Sequence, residues 1–387
     1  VPSTSRDRSP DASRIVAAAT VAVLALAGCN AAGRSAATDG SSAAPTAGQP
    51  GSATMAPAPQ PRRSSATRPA AHTHRPTGRP VTLAFGGDVH FAGVDGARLA
   101  ADPASAVGPL AGVLRGADLA MVNLETAVTT RGTPAAKQFT FAAPPTAFAA
   151  LKAAGIDVAT MANNHGMDYG LVGLRDSLAA AESAHFPVVG IGADATQAYR
   201  AYRVTVKGQR IAIVGATQVL DDALAGAWTA GPGKPGLASA KEVGRLLAAV
   251  RAARAGADTL VVYLHYGREL TDCPTPDQRT IADALVRAGA DVVVGSHAHV
   301  LLGAGWQDGA YVDYGLGNFV FYSGGGVTSQ SGVLELTVAG RAVTKARWVP
   351  ASIEGGVPVP LAGTAATSAV RSWRALRGCT GLAGSPG

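Results

Sequence analysis

Cysteine is scarce in this sequence and long apolar runs are missing, and each shortage removes a class of protein. The 387-residue chain has three cysteines and no C-x-x-C pair, so the thiolate spacing of structural zinc sites and dithiol redox centres is excluded. The uncharged, apolar run at residues 15–27 stops short of the roughly 20 residues that a membrane-spanning helix needs. There is no Walker A sequence, no G-x-S-x-G and no internal repeat, which leaves phosphate-loop, nucleophile-elbow and solenoid readings without support. A single G-x-G-x-x-A match at residues 190–195 leads into a strand-like run at 196–206 rather than a long helical stripe, so a dinucleotide site is rejected.

The amino-terminal 80 residues stand apart from the rest. Arg6, Arg8 and Arg14 precede the run at 15–27, which ends in Leu26-Ala27-Gly28-Cys29. Basic residues before a short apolar segment read as a secretory signal peptide. The closing tetrapeptide resembles the bacterial lipobox, in which cleavage precedes the cysteine and its thiol receives a lipid; the alternative is an ordinary signal peptide with an incidental cysteine. Residues 1–28 are thus expected to be a lipoprotein-type signal peptide. Residues 29–80, dominated by Ala, Ser, Thr, Pro and Gly with scattered Arg, are expected to be a disordered, solvated tether. The expected location is exported, lipid-anchored through Cys29 to the outer face of the bacterial cell membrane.

Charge follows the same division. The net charge is +7, but residues 1–80 hold nine Arg against three Asp, so the remainder is nearly neutral. Nucleic-acid binding needs positive charge gathered on a folded face, and no such partner is expected. The Arg residues of the tether either attract anionic lipid or polymer or are simply solvated. Cys273 and Cys379 lie in a compartment where disulfides persist; they are expected to bond, the alternative being two free buried thiols.

With 47% hydrophobic residues, the rest can bury a large core. Short β-branched runs at residues 81–85, 119–123, 158–161, 210–215, 260–264 and 292–294 alternate with helical periodicity, as in Val243, Leu246, Leu247 and Val250 or Ile281, Leu285 and Ala288. That alternation predicts an α/β fold. Residues 310–321 and 332–348 read as strands joined by Gly-rich turns, with Ala339-Gly340 as a hairpin tip, which predicts an antiparallel portion late in the fold. The folded domain is expected over residues 81–350, with a capping segment at 351–387 that contains a short amphipathic piece at 369–376 and is pinned by Cys379.

Five polar clusters follow five apolar runs, and ligands of α/β sheets collect beyond the carboxyl ends of strands. Asp88 and His90 fall on one side of an extended segment, as do Asn123 and Glu125. Asn163, Asn164, His165 and Asp168 follow a buried-looking strand, where such polarity is costly unless paired or metal-bound. His265 and Glu269 follow a fourth run, and His297 and His299 are placed on one side of a fifth strand end. Of eight histidines, five (His90, His165, His265, His297 and His299) lie in these clusters. His72, His74 and His185 are taken as structural or solvated. Imidazole, carboxylate and amide oxygen without thiolate suit Zn²⁺, Mn²⁺ or Fe.

The order D-x-H, acidic strand end, N-H, H and H-x-H resembles the metallophosphoesterase signature. The segments Asn123-Leu124-Glu125, Ala162-Asn163-Asn164-His165, Gly295-Ser296-His297-Ala298-His299 and Gly315-Leu316-Gly317-Asn318-Phe319 are similar to the CapA family of poly-γ-glutamate capsule proteins, over most of residues 81–321. The resemblance implies a four-layer α-β-β-α sandwich of the metallophosphoesterase type. It implies two divalent transition-metal ions, one held by Asp88, His90 and His299 and the other by Asn164, His265 and His297. Glu125 would bridge them where phosphoesterases usually have Asp. His165 would act as general acid or leaving-group stabiliser, oriented by Asp168, with Asn123, Lys137, Glu269 and Asn318 near the pocket. Three functions are compatible: a CapA-like surface lipoprotein in synthesis, attachment or processing of an anionic polymer, working with other capsule-synthesis proteins; an exported phosphoesterase acting on a phosphate ester; and a non-catalytic polymer-binding scaffold.

Overall fold

A parallel strand covered on both faces has no polar side, and the strands Leu119–Leu124, Thr259–His265 and Val292–Ser296 are buried along their whole lengths. The structure, a computed structural model, describes residues 78–322 and 325–386. The expected signal peptide, Cys29 and nearly all of the tether lie outside the described residues. Among the described residues, no helix is long and apolar enough to cross a membrane.

Two sheets carry the fold. Across the first, the order is Val357–Pro360, Ala342–Glu354, Gln330–Ala339, Val81–Val89, Leu119–Leu124, Val158–Thr160 and Val188–Val189, with Asn318–Val320 added beside the end of Val81–Val89. The half from Val81 to Val189 is parallel and the half formed by residues 330–360 is antiparallel. The second sheet runs Ala304–Gln307, Ala310–Asp313, Val292–Ser296, Thr259–His265, Gln209–Thr217 and Tyr202–Val206.

Because side chains alternate along a strand, each sheet divides its apolar residues between two layers. Leu83, Phe85 and Met121 of the first sheet meet Ile213, Val261, Tyr263 and Val294 of the second between the sheets. Ala84, Val122 and Ala159 face outward onto Leu99, Leu114, Phe148 and Leu174 of the covering helices, and Val214, Val262 and Val293 face Leu246, Val250, Ile281 and Leu285. The result is the expected four-layer α-β-β-α sandwich with a late antiparallel portion. Helix Pro276–Ala288 begins with a full capping box between Thr275 and Gln278 and ends on left-handed Gly289, so its terminal backbone groups are satisfied locally.

Three local readings of the sequence need correction. Residues 310–321 are not one antiparallel unit: Ala310–Asp313 belongs to the second sheet and Asn318–Val320 to the first, each parallel to a neighbour. Between them the chain crosses the sandwich, with Gly315 N–H on Asp313 Oδ1 at 2.9 Å and Leu316 N–H on Gly295 O at 2.9 Å. Ala304–Gln307 forms a hairpin with Ala310–Asp313 about Asp308 and Gly309, both with positive φ, a D-G tip that the apolar pattern around it concealed. Strand Ala342–Glu354 runs through residue 350 and pairs with Val357–Pro360, so the sheet ends ten residues beyond that boundary. The last helix, Gly363–Ala375, stacks Trp373 on Trp348 at 5.3 Å, and Cys379 is disulfide-bonded to Cys273.

Asp95 has a measurable cost. Both of its carboxyl oxygens are buried without a hydrogen-bond partner, and burial, partly opposed by Arg98, pushes its pKa from 3.8 to about 7. The folded state therefore binds the proton more tightly than the unfolded chain, so stability falls as pH rises from about 4 to about 7. Asp95→Asn removes that slope and stabilises the protein by about 2–4 kcal/mol at pH 8, with little effect at pH 4. Urea unfolding at the two pH values checks this, and an unchanged slope in the variant contradicts it.

Candidate metal centre

The carboxyl ends of the parallel strands of both sheets deliver polar side chains to one pocket. Asp88 lies opposite Asn123 on one side and Asn318 on the other. Asn123 Nδ2 donates to Asp88 Oδ1 at 2.8 Å and lies 3.1 Å from His265 Nδ1. Asn163 Nδ2 donates to Asn123 Oδ1 and to Leu124 O, both at 2.9 Å, and Asn163 Oδ1 accepts His165 N–H at 3.0 Å. The second sheet closes the ring through His297 N–H, which donates to Asp88 Oδ2 at 3.1 Å.

The histidines are aimed by partners on their far nitrogens. Ser296 Oγ and Asn123 Nδ2 engage His265 Nδ1, which leaves Nε2 facing Asn164 Oδ1 at 2.7 Å and Glu125 Oε1 at 3.4 Å. His299 Nδ1 meets Asn318 Oδ1 at 2.8 Å. His90 Nδ1 accepts Ala92 N–H at 3.1 Å, while its Nε2 is buried and unpartnered. At His299, donation from Nδ1 to Asn318 fixes the tautomer and turns the Nε2 lone pair toward a ligand.

Glu125 sits at the centre. Ligand atoms of Glu125, His265 and His297 lie within 4.8 Å of one another, as do those of Asp88, Glu125 and His299. Both Glu125 oxygens are buried without a hydrogen bond, as is His297 Nδ1. Burial, then Asp88, raises the Glu125 pKa well above the ordinary range, and burial raises Asp88. Burial and neighbouring histidines push His90 and His297 down to about 3, and His265 is driven well below its usual value by the same causes. Neutral imidazoles around two buried carboxyl groups, Asp88 and the hydrogen-bond-free Glu125, form a donor set that a divalent cation satisfies. The residues fit the group that the sequence implies.

Beside this set lies a proton-handling group. Asp168 Oδ2 accepts Phe141 N–H at 2.7 Å and faces His165 Nδ1 at 2.6 Å, and Lys137 Nζ stands 3.0 Å from Oδ1. A carboxylate oxygen only accepts, so Nδ1 carries the proton and His165 Nε2 presents a lone pair 3.9 Å from Glu125. Burial lowers the His165 pKa against the opposing effect of Asp168. Phe141, Phe321 and Tyr322 box the His90 ring at 4.0–4.7 Å, and Phe141 covers His165 at 4.2 Å.

The structure thus brings Asp88, His90, Asn123, Glu125, Asn164, His165, Asp168, His265, His297, His299 and Asn318 into one cluster at the strand ends. His90 reaches it through the aromatic box and belongs to none of the tight ligand groups. Lys137 donates to Asn164 O at 2.5 Å and lies 3.7 Å from Asp221. Glu269 is exposed on the loop after His265. One expected geometry is wrong. Strand Val292–Ser296 ends before His297, and His297 and His299 have φ of 101° and 56°, so left-handed backbone rather than an extended strand end places their rings 5.9 Å apart. Each such residue costs about 1–3 kcal/mol. Sequence reasoning passed over the positioning roles of Asn163 and Ser296; two successive amides after a strand, and a serine next to the H-x-H, were the available signals. It gave no role to Phe141, Phe321 or Tyr322.

Fold and site together define an α-β-β-α protein with a histidine–carboxylate pocket at its strand ends. The chain belongs to the family described as bacterial capsule synthesis protein PGA_cap, which matches residues 82–323. It is 33% identical over 230 residues to the capsule biosynthesis protein CapA of Bacillus anthracis, covering 59% of this chain and 54% of that one. It is 32% identical over 213 residues to the PGA biosynthesis protein CapA of Bacillus subtilis (strain 168), covering 54% of each. The chain spans about half the length of the curated relatives it matches. Similar solved structures include a phosphatase of Mycoplasma pneumoniae (15% identity, 71% of this chain and 94% of that one, TM-score 0.45). Another is the 5'-nucleotidase of Candida albicans SC5314 (8% identity, 77% of this chain and 58% of that one, TM-score 0.42).

Proposed function

We propose that this protein is an exported lipoprotein, anchored through Cys29 to the outer face of the bacterial cell membrane. It acts there in the synthesis, attachment or processing of an anionic extracellular polymer, poly-γ-glutamate, with a two-metal hydrolase centre. Family membership supports the polymer role. The hydrolytic part rests on one observation: a buried, hydrogen-bond-free Glu125 belongs to two separate groups of ligand atoms at once.

In this reading Asp88, His90 and His299 would hold one ion, Asn164, His265 and His297 would hold the other, and Glu125 would be shared. Two divalent ions polarise a carbonyl or phosphoryl oxygen and lower the pKa of water. Asn123, Ser296 and Asn318 orient the ligating rings. His165, whose Nδ1 proton is held by Asp168, takes up or returns a proton at Nε2, and Lys137 holds Asp168 in place. Phe141, Phe321 and Tyr322 exclude water from one wall of the pocket.

The full chain, with and without chelator, is assayed against γ-glutamyl oligomers and a phosphodiester. Metal-dependent γ-glutamyl cleavage is the expected result. Release of phosphate ester products instead would indicate a phosphoesterase, and metal-dependent stability without turnover of either would indicate a scaffold. His165→Ala retains both ions and loses about 10²–10⁴-fold in turnover; a variant that keeps full turnover removes His165 from the chemistry.

A further inference from the structure

Among the described residues there are three tight ligand groups, and two of them share Glu125. The third, Glu269 with His297 and His299, has ligand atoms within the same 4.8 Å, and its Glu269 has no part in the reaction described above. It differs from the others in exposure. Glu269 is open to solvent, His299 is half-buried and His297 is buried, whereas Glu125, His265 and Asp88 are all buried. The three groups therefore form a sequence from solvent to interior, with His297 and His299 common to the outer and inner ends.

The loop that carries Glu269 is braced. Tyr266 N–H donates to Ser296 O at 3.0 Å and Leu270 N–H to Ala298 O at 2.9 Å, which ties the chain to the histidine segment on both sides of Glu269. Gly267 and Leu270 take positive φ of 104° and 55°, and a side chain at Gly267 would meet the Gln278 carboxamide at 2.6 Å. A leucine held in the left-handed region marks a conformation imposed by its surroundings. Beyond it, Cys273 is joined to Cys379. His297 Nδ1 is buried and unpartnered, and His299 has Nδ1 committed to Asn318, which leaves Nε2 for a cation.

We propose that Glu269, His297 and His299 form a third cation position at the mouth of the pocket, a loading position through which divalent ions exchange their waters for protein ligands before moving to the positions around Glu125. Two imidazoles and a carboxylate suit Zn²⁺, Co²⁺ or Mn²⁺. Because the outer position shares both histidines with the inner ones, it empties when they fill. The proposal rests on the two-metal reading above.

The test is the rate of Co²⁺ uptake by the metal-stripped full chain, followed by visible absorption, with the final ion count measured separately. Glu269→Gln takes up the same number of ions as wild type but at least about tenfold more slowly, and Glu269→Asp, which keeps the charge and shortens the reach, is also slowed. Uptake by Glu269→Gln within about twofold of wild type overturns the loading position while leaving the two-metal reading intact. Normal uptake by Glu269→Asp alone reduces Glu269 to a steering charge and overturns its role as a ligand. A wild-type chain that binds no ion removes both.

Discussion

Removal of divalent ions from the full chain is expected to abolish hydrolysis and to lower its melting temperature by roughly 8–16 °C for each ion lost. The argument runs from burial to linkage. Asp88 and Glu125 are wholly buried, and each is pushed toward the protonated form by desolvation. Ions bound between them would offset that cost and would bind the folded state only. At a free ion concentration about a thousandfold above Kd, linkage contributes about 4 kcal/mol per ion, and a large domain shifts by about 2–4 °C per kcal/mol. Scanning calorimetry of chelated and reloaded protein checks the number. A melting temperature that ignores both chelator and added Zn²⁺ or Mn²⁺ contradicts the assignment of these carboxyl groups.

Gly87→Ala is expected to destabilise the fold by about 3–5 kcal/mol and to lose ion binding at the same time. A Cβ at Gly87 would stand 1.9 Å from Gly317 O. That oxygen is already engaged, accepting Asp88 N–H at 3.0 Å. The obstacle is backbone on both sides, so no rotamer change relieves it. Relief requires the first strand to part from residues 315–318, which displaces Asp88 and Asn318 from the pocket. Gly112 is the internal control: nothing lies within 4 Å of a Cβ there, and Gly112→Ala on the same background is neutral or stabilising by up to about 1 kcal/mol. Urea unfolding of the two variants, with ion content measured alongside, makes the comparison. A Gly87→Ala protein with wild-type stability and ion content would show that the two chain segments are not locked together.

The parts legible in the sequence were those where one physical cost acts locally. Valine-rich runs such as Val261, Val262 or Val292, Val293 and Val294 state burial on both faces. Polar clusters directly after them state a price that only pairing or a ligand can offset. Helices with buried Leu246 and Val250, or Ile281 and Leu285, announced themselves by period. What stayed hidden depends on contacts between distant residues. The crossing at 314–317 is fixed by Gly295 and Gly87, over 20 and over 200 positions away. The left-handed turns at His297 and His299 have no glycine to signal them, since tertiary contacts impose them. Asn163 and Ser296 act through chains of hydrogen bonds to Asn123 and His265, which leave no periodic trace.

Crystals of the full chain grown with Mn²⁺ or Zn²⁺ and measured at the metal's absorption edge test the central claim most directly. Two anomalous peaks flanking the Glu125 carboxylate, one toward Asp88 and His299 and one toward His265 and His297, are predicted. Ion-replete crystals with no peak among these side chains would contradict it.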